Sequence, residues 1–385
     1  MQLIIAINAM TKFTESISDF PTGVPSASPT SGATTIAKKS SKVSDNDTFL
    51  VNASLPEMPL LPITSNTTIR ACRAMKVSPK DVFICSYPKS GTTWTQNIVV
   101  RLLWEISGMS GRNKKHRPLP DDWHLSQSAP FYEVDQYWRP KKGERESFDR
   151  LPAETPIKDG SNSEYRVFNT HLLPHQLPEN AMCVYVVRDP LDAMISFYHH
   201  LSNQLVEDGG FTGSFDEFFE GFLDGTIVYG KWQDHIEAWM GRDFKRKRKV
   251  LVLHYEDMKE NLAKETKRLA KFLLDGNGES TIENHDERCL DELVSRIVPH
   301  CTFEAMKKER RRYTPLTVSW RIDPNTGKPY DAFVRKGAVG DGQKFLLEMT
   351  STALRDRWVN KDVSIARARW KKAGVDQNII DRYLL

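Results

Sequence analysis

Tyr87-Pro88-Lys89-Ser90-Gly91-Thr92-Thr93-Trp94 is the stretch on which the reading of this chain turns. It follows an apolar run, Val82-Phe83-Ile84-Cys85-Ser86, that reads as a buried strand. It leads into Trp94, Ile98, Leu102 and Ile106, whose spacing predicts a helix. A strand, a tight glycine-containing loop and a helix together aim backbone N–H groups and a helix dipole at a phosphate-like anion. Lys89 adds a point charge, and Ser90, Thr92 and Thr93 add hydroxyl donors. The loop is not of the Walker A make, in which the lysine follows the second of two spaced glycines; Lys89 precedes a single glycine.

A chain of 385 residues holds one large α/β domain or two ordinary ones, and 39% hydrophobic with 27% charged residues is a globular composition. The net charge of +4 suits a small polyanionic ligand and is too weak to argue for nucleic acid. Cys72, Cys85, Cys183, Cys289 and Cys301 are scattered without a C-x-x-C pair, which favours reduced thiols and a cytoplasmic setting. No stretch approaches the roughly 20 apolar residues of a membrane-spanning helix, and Leu3–Ile7 is shorter than the roughly 7–15 apolar residues of a signal peptide. Residues 1–65, rich in Ser and Thr, read as a disordered extension, and residues 66–385 as a single domain. The glycosylation triplets at Asn46, Asn52 and Asn66 read as chance in such a segment.

Further along, Arg166-Val167-Phe168-Asn169-Thr170-His171 predicts a strand ending in His171. Ala181–Val187 is a continuous apolar, β-rich run of the kind buried in parallel sheets. It delivers Arg188-Asp189-Pro190, where Asp189 suits an N-cap and Pro190 a first helical position, and Ser196 lies about two turns on. Residues 215–223 and 229–240 predict amphipathic helices, and Lys245–Lys249 reads as a solvated loop before a strand at Val250–His254. Tyr255 opens another helix, and Arg335-Lys336-Gly337 offers two cations and a close backbone approach to a phosphate. The aromatic region Trp123, Phe131, Tyr132, Tyr137 and Trp138 reads either as core packing or as walls of an apolar small-molecule pocket.

These strings, in this order, resemble the cytosolic sulfotransferases, which use 3′-phosphoadenosine 5′-phosphosulfate (PAPS). Y-P-K-S-G-T-T-W is similar to their 5′-phosphosulfate loop, and N-T-H-L-L-P to their K-T-H-L-P. The resemblance extends to R-D-P-x-D-x-x-x-S, to Y-E-D-M, to H-C-T-F-E-A-M (family H-T-S-F-x-x-M) and to R-K-G-A-V-G-D, over residues 70–345. It implies an α/β fold: a single domain with a central, mostly parallel β-sheet flanked by helices, its strand–loop–helix related to that of nucleotide kinases. It implies transfer of the sulfonate from PAPS, releasing 3′-phosphoadenosine 5′-phosphate (PAP), to a hydroxyl or amine of a small-molecule acceptor such as a phenol, sterol or other alcohol. His171 would be the general base, and Lys89 the cation at the bridging oxygen. Lys89, Ser90, Gly91, Thr92 and Thr93 would hold the sulfonate and 5′-phosphate. Trp94, Tyr255 and Phe303, with Cys301 beside them, would hold the adenine, and Arg188, Ser196, Arg335, Lys336 and Gly337 the 3′-phosphate. No metal, nucleic acid or membrane is implied.

The chain departs from the family at Asn169 (usually Lys), Cys301 (usually Thr) and Gly342-Gln343 (usually Trp-Lys). The family's dimerisation segment is not recognisable after Gly342, which leaves a homodimer open. Asn169 and Gly342 prompt the alternative of a PAPS- or PAP-binding protein of this fold without catalytic activity. An ATP-dependent phosphoryl transferase would need the Walker lysine and a magnesium carboxylate, and a secreted or Golgi sulfotransferase a membrane anchor; neither signal is legible here.

Overall fold

The structure, a computed structural model, describes residues 58–109, 119–138, 157–158, 164–242, 249–276, 286–330 and 333–384. In chain order its main elements are α1 (Asn66–Ala74), β1 (Asp81–Ser86), α2 (Thr92–Met109), β2 (Ile157–Lys158), β3 (Glu164–Thr170), β4 (Met182–Val187) and α3 (Pro190–Ser202). Then come α4 (Phe215–Asp224), α5 (Trp232–Met240), β5 (Val250–His254), α6 (Tyr255–Glu260), α7 (Leu262–Gly276), α8 (Glu287–Ile297) and α9 (Phe303–Lys308). A short β6–β7 ribbon (Ile322–Asp323, Lys328–Pro329) precedes α10 (Asp341–Met349), α11 (Val363–Ala373) and α12 (Gln377–Tyr383).

The main sheet runs β2-β3-β1-β4-β5. β3, β1, β4 and β5 are parallel, and β2 adds an antiparallel edge. The apolar runs form these strands because the sheet is covered on both faces, so residues of either parity are buried. Phe83, Cys85, Tyr185 and Val187 pack into one core with α3, α4, α5 and the C-terminal helices. Val82, Ile84, Val184 and Val186 pack into the other with α2, α7 and α8. Each of these large side chains contributes on the order of 1.5–3 kcal/mol by leaving water. The four parallel strands end on one edge, where Tyr87, His171, Arg188 and Tyr255 follow them directly. That edge is where ligands bind in open parallel sheets.

The predicted strands and helices are all present, with instructive shifts. Asp189 does cap α3, its carboxylate accepting from the N–H groups of Leu191 and Asp192. The helix expected from residue 229 begins at Trp232, because Tyr229 and Gly230 both take positive φ and turn the chain. The helix opened by Tyr255 breaks at Asn261 into α6 and α7. The expected boundary at residue 66 is too late: the Pro59 carbonyl accepts from Tyr229 N–H at 2.7 Å, Ile63 from Asp135 N–H at 2.9 Å, and Leu61 is buried. Asn66, one of the three triplets, is the first residue of α1. Residues 1–57, and Lys245–Arg248 of the basic stretch, lie outside the described residues. All five cysteines are free, four of them buried.

One departure from the family pattern has a clear packing reason. The buried Asp192 carboxylate accepts from Gly342 N–H at 2.6 Å and from Gly340 N–H at 2.9 Å. This draws the chain so close to α3 that a Cβ on Gly342 would stand 2.2 Å from the Leu191 carbonyl carbon and 2.4 Å from Asp192 N. Only glycine fits that approach. Gly342→Ala is expected to cost about 1–3 kcal/mol through overpacking, read as a lowered denaturant midpoint; an unchanged midpoint would refute this packing argument.

Candidate active site

The loop after β1 carries the first component. Lys89 takes a φ of 64°, a left-handed conformation uncommon outside glycine and one that local packing must enforce. Ser90 N–H donates to the Tyr87 carbonyl at 3.3 Å, closing the turn, and the Thr92 hydroxyl is paired with that of Ser86 at 2.6 Å. Gly91, at φ 105°, lies where a Cβ would be 2.8 Å from the Tyr255 ring. The cavity above this loop is lined by Lys89, Gly91, Thr92, Thr93, Trp94, Asn169, His171, Arg188, Ser196, Tyr255, Phe303, Arg335, Lys336 and Gly337, among others. Strand ends and loops more than 200 residues apart in sequence thus meet in one place.

Two of the expected site residues are placed differently. Ser90 does not line the cavity; its Oγ is buried, with no hydrogen-bond partner among the described residues. Cys301 does not line it either. Its side chain is fully buried, taking an N–H from Asn97 Nδ2 at 3.5 Å, and burial pushes its thiol up to about 12. What it contributes is its carbonyl, which accepts from Trp94 Nε1 at 2.7 Å and fixes that ring. The exchange of a hydroxyl for a thiol therefore falls on a side chain turned into the core.

The three aromatics flank a cavity rather than a filled core. Trp94 and Tyr255 meet edge to face at 5.4 Å. Phe303 lies over Gly337, where a Cβ would be 2.5 Å from its ring. Arg188 stacks on Tyr255 with its guanidinium 4.3 Å from the ring centre, donates to the Lys89 carbonyl at 3.0 Å and to the Ala338 carbonyl at 3.0 Å, and stands 3.8 Å from Asp192. Its Nε is buried without a partner among the described residues. Lys336 pairs with Asp341 at 3.0 Å and Arg335 with the same carboxylate at 3.9 Å. Burial, helped by the neighbouring Arg188 and Arg335, pulls the Lys89 ammonium down to about 7. A lysine poised there regains its proton when an anion enters.

His171 sits across the loop. Its Nδ1 faces the Ser86 carbonyl at 2.8 Å; a carbonyl only accepts, so Nδ1 carries the proton and Nε2 the free lone pair. Burial, with the Lys89 charge adding to it, lowers the imidazole to about 4, so the ring is neutral at physiological pH. The Phe131 and Tyr229 rings approach it edge-on at 5.4 and 5.1 Å. Asn169 also faces the cavity, but its amide donates to the Ala129 carbonyl at 3.1 Å and brings no charge. Of the aromatic region, Phe131 and Tyr137 line the cavity while Trp123 and Tyr132 are core; both readings of that stretch hold, residue by residue.

Glu133 was not singled out in the sequence. It is fully buried, and its Oε1 accepts the His171 backbone N–H at 2.9 Å. Burial raises its carboxyl to about 7, eased by that N–H and by the Thr170 and Tyr229 hydroxyls. Tyr229, Phe333, His200 and Lys259 are further cavity residues that no local pattern marked. Glu133 stood in plain view as a lone carboxylate within Phe131-Tyr132-Glu133-Val134, an unusual place for a charge in an apolar run.

Comparisons with known proteins give the family and the fold. The sulfotransferase-domain family profile matches residues 79–364. Mouse sulfotransferase 1B1 is 32% identical over 294 residues, covering 74% of this chain and 84% of its own. Human sulfotransferase 1C2 is 31% identical over 276 residues, covering 70% and 78%. Luciferin sulfotransferase of Photinus pyralis is 28% identical over 309 residues, covering 76% and 74%. In fold, the chain is similar to the crystal structure of mouse sulfotransferase SULT7A1 complexed with PAP, with a TM-score of 0.53 at 20% identity over 85% of this chain and 99% of that one.

Glu133 offers a direct check on this site's electrostatics. A carboxyl held above its ordinary value stabilises the fold fully below the unfolded pKa near 4.5, and that contribution is gone once pH passes about 7. Glu133→Gln keeps an acceptor for the His171 N–H and cannot ionise. It is expected to gain about 1–3 kcal/mol on the wild type between pH 5 and pH 8. Denaturant midpoints at the two pH values measure this, and a constant difference would show that Glu133 is not held protonated.

Proposed function

The chain belongs to the sulfotransferase family, and from that premise we propose that it transfers the sulfonate of PAPS to a hydroxyl or amine of a small, largely apolar acceptor, with His171 as general base. The observation that carries this reading is the fixed tautomer of His171. With Nδ1 donating to Ser86, the ring offers a neutral Nε2 in a cavity that also holds Lys89. A neutral imidazole beside an ammonium is the pairing that proton removal at one centre and charge stabilisation at the next require.

The residues present suit a nucleotide charged at both ends. On this reading Lys89 and its loop serve one anion, Arg188, Ser196, Arg335 and Lys336 another, and Trp94, Tyr255 and Phe303 the adenine; all of these named side chains line one cavity. The Arg188 Nε, without a partner among the described residues, fits a bound phosphate, as the cation cluster does. PAPS, when bound, supplies a sulfonate on an activated anhydride. The chain's own part is to accept the acceptor's proton at His171 Nε2, to offset negative charge with Lys89, and to hold the reactants in line by backbone and hydroxyl donors of the loop. Leu125, Phe131, Tyr137, Tyr229, Val318 and Phe333 give the acceptor side an apolar and aromatic wall, which favours phenols, sterols or other lipophilic alcohols. Among the described residues no helix is long and apolar enough to cross a membrane.

A second reading, a PAP-binding protein without turnover, draws on Asn169, where the cavity has an engaged amide in place of a cation. His171→Ala separates the two. It is expected to lower kcat by about 10²–10⁴ while PAP affinity stays within about twofold; turnover that survives the substitution would remove His171 as base, and a wild type that binds PAP but sulfonates no acceptor would favour the second reading.

Two pH dependences follow. Because the imidazole is lowered to about 4, its basic form persists down to that pH, so kcat/KM for the acceptor, at saturating PAPS, should hold level from pH 8 to about 5 and decline below. A decline centred near the ordinary histidine value of about 6.5 would contradict the burial argument. Because free Lys89 loses its proton above about 7, PAP affinity should weaken as pH rises from 6 to 9, and Lys89→Met should flatten that profile. Calorimetric titrations across this range test the point; a flat wild-type profile would mean the lysine is not the linked group.

A further inference from the structure

The last described helix lies beyond the family match and packs behind the turn that carries Tyr255. The matched region ends at residue 364, whereas α12 spans Gln377–Tyr383. The Tyr383 hydroxyl donates to Glu256 Oε2 at 2.9 Å and accepts from His254 Nδ1 at 2.8 Å. Arg382 grips the Asp257 carboxylate at 2.6 and 3.1 Å and lies 3.6 Å from Glu256 Oε2. This chain end is seated in the core: Leu384 is fully buried, and Tyr383 meets Trp232 at 6.0 Å.

Glu256 has a second attachment. Its Oε1 accepts the backbone N–H of Asp189 at 2.9 Å. Asp189 directly follows Arg188 and caps α3. Arg188 in turn stacks on Tyr255, the residue before Glu256. Besides the Lys89 and Ala338 carbonyls, two groups that position Arg188, the ring beneath it and the carboxylate holding the next peptide, therefore stand on the first turn of α6. α12 holds that turn from behind.

We propose that α12 is a clamp on the aim of Arg188, with Glu256 as the positioning residue between Tyr383 and Asp189, and that the clamp sets how strongly the site prefers an adenine nucleotide bearing a 3′-phosphate over one without it. The inference rests on the reading of Arg188 as a 3′-phosphate ligand. A purely structural role for α12 would lower stability and weaken all nucleotides alike; the clamp acts on one phosphate.

The test titrates PAP and 5′-AMP, which differ by the 3′-phosphate, into the full chain and into Tyr383→Phe, calorimetrically and at a temperature where both are folded. Loss of the single hydroxyl is expected to weaken PAP about three- to tenfold and AMP by less than about twofold. Truncation after Asp376 should widen that gap, and if the truncated chain does not fold, the hydroxyl variant decides alone. A PAP-to-AMP ratio unchanged in Tyr383→Phe overturns the clamp while leaving the 3′-phosphate reading intact. A wild type that does not distinguish PAP from AMP overturns both.

Discussion

Crowding cations around one cavity is the constraint to which the rest of this site answers. Burial lowers the protonation of Lys89 and Arg335, and the nearby Arg188 charge lowers both further; like charges drawn together out of water are costly. The protein spreads that cost. Lys89 is held near neutrality, Arg188 is anchored to two carbonyls and a ring, and Asp341 partly neutralises Arg335 and Lys336. What remains is a cavity wall richer in cations than in carboxylates, which suits an anion.

The scaffold converts that constraint into geometry through the carboxyl edge of the sheet. The Lys89 loop follows β1, His171 follows β3, Arg188 follows β4 and Tyr255 follows β5, so every parallel strand delivers one part of the cavity. Carboxyl groups, two of them buried and one half-buried, then lock the pieces to one another. Asp192 holds the Gly340–Gly342 turn against α3, Glu133 holds the backbone of His171, and Glu256 holds the peptide after Arg188. In all three, a side-chain carboxyl oxygen accepts a backbone N–H. The backbone is thereby fixed where the functional side chains leave it.

The same arrangement explains the departures from the family pattern. Gly342 is demanded by its contact with α3, and Cys301 acts through its carbonyl, so neither bears on the cavity through its side chain. Asn169 does face the cavity, tied to Ala129. It is the one departure among these that changes the chemistry offered to a ligand, since an amide replaces a cation.

Much of this was legible along the chain. The alternation of apolar runs, glycine-bearing loops and helical periodicity determined the strand–loop–helix, the parallel sheet and the order in which Lys89, His171, Arg188, Tyr255 and Arg335 appear, because those signals are local and each follows from backbone geometry. Tertiary structure alone decided which distant residues serve them. Glu133 meets His171 across 38 residues, Tyr383 meets Glu256 across 127 and Gly342 meets Asp192 across 150. It also decided that residues 59–63 pack on the domain, that Tyr229 turns rather than starts a helix, and that Cys301 faces the core. Such pairings depend on strand register and on which helix face is left uncovered after packing, and no spacing of residue types along a single sequence encodes either.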